Sequence, residues 1–425
     1  MNKPACWTCT CCFICLLCAV VAPVFSRQNW DRFHGSNGSG LAESAELPTN
    51  WTDTEYLWQV KLAGMGCSSP VIWNDRLFVT SCNSQTGELK LQCFDVDSGK
   101  QLWLREFQSP PYPVHSRNNF ASATPAVDAD QVYISYANPD HTMLVALDHD
   151  SNEIWQRDFG TWVSQHGFSV SPIVYKEKII FFNSQQSEQL QPGESPGTSR
   201  VIAVNRKDGS DAWTTQMTAN RACYSVPCVY TDANGREQII SYDSADGFFG
   251  LDPETGKQNW AVFPFEMRTV ASTLIADGLV IGSNGSGGGG NYLVAIRPDA
   301  TSPTKAPEQV YTLQKSNYVP SPIAVNGLLF FFTDKGIGNC VDLQTGKLHW
   351  SERLSAGFSG SPVATSKSIY VMDEDGMVFV IAPSTQFNLL GKHPLGEPSR
   401  STPAIGDNKI FFRTESQLFC VGNKK

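Results

Sequence analysis

Along most of the chain, apolar residues come in short alternating runs, and each run stops at Gly, Pro, Asp or Asn. No stretch sustains the 3.6-residue period of an amphipathic helix, so the pattern predicts short strands joined by tight turns. One unit recurs. Small residues lead to an anchor, usually proline, followed by apolar alternation, a polar turn and a second apolar strand. The copies include SSPVIWNDRLFVTSC from Ser68, SATPAVDADQVYISY from Ser122, SVSPIVYKEKIIFFN from Ser169 and STPAIGDNKIFFR from Ser401. Eight anchors are found at Pro70, Pro125, Pro172, Pro227, Thr273, Pro322, Pro362 and Pro403, spaced 40 to 55 residues apart. Self-similarity at that period is the mark of a repeat architecture.

Each copy continues into a third and a fourth strand. In five copies the joint between them runs from Asp or Asn through a polar turn to Trp, as in CFDVDSGKQLW, ALDHDSNEIW, AVNRKDGSDAW, GLDPETGKQNW and CVDLQTGKLHW. The acid or amide caps its own turn and glycine supplies a positive φ. Trp103, Trp155, Trp213, Trp260 and Trp350 therefore land at one fixed point of the outer strand, where each is expected to dock on the neighbouring unit. Such a ring buries roughly 150–250 Å². Copies five and seven lack the Trp, with Tyr311 and Leu390 near the slot, so looser junctions are expected there.

Four short strands per unit make a propeller blade, and radial repetition protects the strand edges. The eighth copy ends after its third strand, whereas residues Tyr56–Leu62, with Trp58, form an orphan strand ahead of the first anchor. The expectation is an all-β, eight-bladed propeller of four-stranded blades, its ring closed by the N-terminal strand completing the last blade. Residues 54–425 then form the propeller and 27–53 an N-terminal extension.

At the turn joints the chain resembles the pyrroloquinoline-quinone-type (PQQ-like) propeller repeat family. The resemblance extends over nearly all of residues 54–425. It implies either a quinoprotein dehydrogenase or a non-enzymatic scaffold like the outer-membrane assembly members. Short exported members of the family open with a segment matched here by Trp30, Phe33, Gly35, Asn37, Gly38 and Gly40.

Composition narrows the choice. The formal charge of −9 leaves no basic footprint for nucleic acid. Residues 1–26 have one cation, Lys3, an apolar stretch from Phe13 to Phe25 and no carboxylate. This layout fits a secretory signal peptide, with an uncleaved membrane anchor as the alternative. A periplasmic or extracellular protein is expected, with membrane contact only through that segment. Of 13 cysteines, six lie in this segment. The seven others are scattered and give no disulfide framework, although Cys223 and Cys228 are close enough in sequence to pair.

The dehydrogenases of the family hold their quinone with vicinal cysteines, Ca²⁺ and an Asp base. The only adjacent cysteines here are Cys11 and Cys12, inside the leader, and no catalytic residue can be assigned. No cofactor and no metal site are expected; PQQ with Ca²⁺ belongs to the enzyme alternative alone. Gly285, Gly287 and Gly290 match a phosphate-loop spelling but run into a strand, where no helix N-terminus is available. One constellation remains. The loops that carry the chain from each outer strand to the next inner strand open beside the central channel, and they hold His115, Arg117, Asn118, His166, Arg221, Arg268, Tyr318 and Arg400. Guanidinium groups converging on a concave mouth suit an anion. The sequence thus predicts a monomeric, exported, non-catalytic scaffold or ligand-binding propeller. Its partner would be an envelope protein, or an anionic small molecule or glycan, read by the mouth and by aromatics such as Tyr112 and Trp162. The alternative is a quinone-dependent oxidoreductase.

Overall fold

The structure, a computed structural model, describes Met1 and residues 27–423 apart from 44 and 53. The expected leader and its cysteines lie outside the described residues. Eight four-stranded antiparallel sheets make up a ring, and seven of them are meanders in sequence order. In the first, Val71–Trp73 is innermost, followed outward by Arg76–Cys82, Leu89–Asp95 and Gln101–Phe107. The last blade is composite: Trp58–Lys61 pairs with Gln417–Gly422 in the register Trp58↔Cys420. The ring is therefore closed by the two ends of the chain, as the orphan strand predicted. Within the blades, the two middle strands are buried on both faces, and their apolar runs (Leu77, Phe78 and Val79 in the first) form cores shared with adjacent blades.

The outer-strand tryptophans dock through one repeated contact. The indole Nε1 of Trp58 donates to Val96 O at 3.0 Å, Trp103 to His149 O at 2.8 Å, Trp155 to Arg206 O at 2.8 Å and Trp213 to Pro253 O at 3.0 Å. Each acceptor is the carbonyl just after the capping Asp or Asn in the next blade's turn. The turn glycine exists for this contact: at Gly99 (φ +69°) a Cβ would stand 2.7 Å from the Trp58 ring. Trp260 departs from the rule. Blade 5 replaces the short turn with the longer segment 298–307, so the Trp260 Nε1 turns to Gln238 Oε1 of its own blade at 2.9 Å.

The two junctions expected to be loose are filled by other means. In blade 5, the Tyr311 hydroxyl donates to Leu343 O at 2.8 Å, which reproduces the indole contact. In blade 7 the slot belongs to Gly391, which pairs with Val380 as Trp103 pairs with Cys93, and not to Leu390. Leu390 occupies the bulge between Gly391 and Leu389. The backbone of Thr49 packs directly on Gly391, and Trp51, 6% exposed, is inserted beside it.

The extension 27–53 is part of the same body. It pairs with the far ends of the inner strands, away from the blade-to-blade loops. Trp30 and Ile72 exchange two backbone hydrogen bonds, Asn37 brackets the backbone of Val229, and Ala42 pairs with Ala364. These contacts reach blades 1, 4 and 7, so the extension crosses the channel and closes that end. Cys223 and Cys228 are free thiols: the Cys223 sulfur lies 3.6 Å from Ser244 Oγ, whereas Cys228 faces Thr273 O.

Candidate functional site

Closure at one end turns the channel into a blind cavity of about 490 Å³, with Phe33 of the extension among its lining residues and the blade-to-blade loops at its mouth. The mouth brings together most of the sequence-predicted residues: His115, Arg117, Asn118, His166, Arg268, Tyr318 and Arg400 all line it. Arg221 does not; its side chain is half-buried away from the cavity. Trp162 is buried, at 4% exposure, in an edge contact with Phe168, and so offers no exposed aromatic platform. The Tyr112 ring lies beside Phe120 in a separate shallow groove.

The cations of the mouth are not equivalent. Arg117 is ion-paired with Glu374, which also accepts from Ser359 Oγ at 2.6 Å. Arg400 lies 3.9 Å from Glu415. Arg268 is 9% exposed and forms no ion pair among the described residues. Its Nη1 lies 3.0 Å from the ring nitrogens of His166, whose ring stacks on His115 at 4.8 Å. Its Nε has no hydrogen-bond partner among the described residues. Burial and the adjacent guanidinium push the His166 pKa down to about 4, so this imidazole is neutral at pH 7 and accepts from Arg268. The Tyr318 hydroxyl, raised in pKa by its own burial, is the other group bonded to Arg268. A buried guanidinium held only by neutral groups is a cation awaiting an anion.

Asp334 and Lys335 also line the cavity, and Glu374 reaches its rim through Arg117; sequence reading missed all three because they lie in hairpins within blades 6 and 7, not in blade-to-blade loops. Asp334 accepts the backbone N–H groups of Tyr318 and Val319, and burial raises its pKa.

Below the mouth runs a belt. The residue just before the anchor is Ser or Thr in every copy except Val226. Its backbone N–H donates to the hydroxyl of the same residue in the next blade: Ser69 to Thr124 at 3.0 Å, Thr124 to Ser171 at 2.9 Å, Val226 to Ser272 at 3.2 Å and Ser272 to Ser321 at 2.9 Å. Ser321 to Ser361 and Ser361 to Thr402 continue it, both at 2.9 Å. The belt breaks twice. Val226 offers no hydroxyl to Ser171, and between blades 8 and 1 the Arg413 guanidinium takes over, donating to Ser68 O at 2.8 Å and Oγ at 2.7 Å. The signal for the belt was present in the repeat, but its geometry was not.

The comparisons with known proteins bear on this arrangement. A family model described as outer membrane protein assembly factor BamB matches residues 49–229, 90–344, 197–388 and 314–419, which together span the propeller. The chain belongs to the BamB family. The BamB of Shewanella oneidensis is 22% identical over 244 residues, which cover 50% of this chain and 57% of that protein, so the match spans little more than half of the relative's length. Among solved structures, BamB from Moraxella catarrhalis superposes with a TM-score of 0.60 at 12% identity, covering 87% of this chain and 99% of that one. Quinohemoprotein alcohol dehydrogenase from Comamonas testosteroni gives 0.68 at 12% identity, covering 94% and 81%. The computationally designed Ika8 protein gives 0.61 at 10% identity, covering 87% and 100%. At these identities the structural likeness speaks for the fold alone.

Proposed function

We propose that this BamB-family chain is an exported, non-catalytic propeller scaffold of the cell envelope whose mouth takes an anionic group. That group belongs to a small molecule or glycan, or to an acidic loop of an envelope protein. The observation that carries the reading is Arg268: nine-tenths buried, lining the cavity, and bonded only to neutral His166 and Tyr318. Membership in a family described as an assembly factor supports a scaffold role.

The residues present do not fit a calcium-held quinone. Among the described residues no three His, Cys, Asp or Glu side chains group as cation ligands, and the seven described cysteines include no adjacent pair. No catalytic step is assigned.

The reading is tested by titrating the chain with an oligo-aspartate peptide and with a sulfated disaccharide, in parallel with Arg268→Gln. Binding of either probe that is lost in the variant is the expected result. The reading is overturned if neither probe binds, or if added quinone and Ca²⁺ produce dye-linked alcohol oxidation.

A further inference from the structure

The belt hydroxyls are used on one side only. Six of the seven accept a backbone N–H from the preceding blade, and none of the seven O–H protons has a protein acceptor among the described residues. Ser69 Oγ, at the seam, is buried with no partner of either kind among the described residues. All seven hydroxyl residues are at most 4% exposed, and all line the blind cavity. A serine or threonine hydroxyl supplies one donor and two acceptor sites. Here an acceptor site is consumed by the neighbouring blade, so the proton is left to point at whatever fills the shaft. The cavity thus presents a ring of O–H donors under an uncompensated guanidinium. Its apolar side chains are Phe33, Val226, Val270 and Val319.

From this we infer that the shaft is a site for a small oxyanion, a carboxylate or a phosphate, seated on the belt beneath Arg268. The inference rests on the anion-binding reading of the mouth and narrows it: a cavity closed by the extension takes a compact molecule entering from one end, not a threaded polypeptide. Its volume of about 490 Å³ suits such a ligand. Donors arranged around a closed ring reward an acceptor-rich group, and hydrogen bonds to a charged acceptor are about twice as strong as neutral ones. Val226 leaves one sector of the ring apolar, so the ligand is expected to turn its non-polar side toward blade 4.

The experiment is calorimetric titration of the full chain with inorganic phosphate and, separately, with glucuronate, which distinguish the two headgroups. At least one should bind in a 1:1 ratio. The double variant Ser321→Ala/Ser361→Ala should weaken that binding about tenfold or more, as should Arg268→Gln, while Arg221→Gln, whose side chain lies away from the cavity, should not. Wild-type affinity in the double variant would overturn the belt as the seat and leave the mouth reading standing. Failure of both probes on the wild-type chain, with retained binding of the oligo-aspartate peptide, would do the same. Failure of every anion removes both. Should the double variant not fold, Val226→Thr keeps the side-chain shape and adds a hydroxyl to the ring; tighter binding supports the site, and unchanged or weaker binding overturns it.

Discussion

Trp51 stacks on His393, with ring centroids 3.7 Å apart and an interplanar angle of 22°. This pair stands where blade 7 would otherwise carry its own docking indole. The Trp51 ring also faces Phe412 of blade 8, at 5.8 Å, so one residue of the extension joins two blades of the ring.

Removing that ring should therefore act like a core truncation. Trp51→Ala is expected to lower stability by about 3 kcal/mol, read as a shift of the urea midpoint, because the cavity cannot be filled by the Gly391 backbone. A shift no larger than that of an exposed substitution such as Leu348→Ala would refute the docking role.

The turn glycines make a second case. Gly99 and Gly278 share a left-handed backbone, with φ of +69° and +78°, so alanine at either position costs about 1 kcal/mol of strain. Only at Gly99 does the new Cβ meet an indole; at Gly278 nothing lies within 4 Å. Gly99→Ala should thus be clearly the more destabilising of the two in thermal unfolding. Equal losses would mean that the indole contact is unimportant.

The belt is also structural, and Thr402→Val tests that part alone. Valine keeps the shape of threonine but removes the acceptor of the buried Ser361 N–H. Leaving that donor unpaired should cost about 1–3 kcal/mol. Thr402→Ser, which keeps the hydroxyl, should restore much of it in the same denaturation assay.

Asp243 gives the molecule a pH signature. Burial first, then the neighbouring Asp246, raise its pKa from 3.8 to about 7. A carboxyl whose folded value is raised binds more protons folded than unfolded between those limits. Its contribution to stability is complete below about pH 4 and is lost as pH climbs toward about 7. The slope should reach at most about 1.4 kcal/mol per pH unit. Asp243→Asn keeps an oxygen for the N–H groups of Ala245 and Asp246, and should flatten the profile over that window. A profile identical to wild type would remove Asp243 as its source.

Much of the architecture was legible in the chain because repetition turns a weak local signal into a strong one. The anchors, the alternation and the Asp-to-Trp spacing are set by turn chemistry and by the two-residue period of strands, and both are local properties. The same reading put Leu390 near a slot that belongs to Gly391, because the turn of blade 7 is one residue longer than that of blade 1 while the bulge beside the slot is common to both. It also counted Arg221 among the convergent cations, because membership of a loop does not fix where a long side chain points.

What the sequence determined by itself was the repeat, the blade number and the junctions at which charge collects. What only the tertiary structure decided was which charges remain unpaired and which end of the channel is shut. Arg117 and Glu374 are separated by 257 residues yet meet across the mouth, while Arg268 forms no ion pair among the described residues. Such outcomes depend on contacts between distant blades and on desolvation, and neither is encoded within a single repeat.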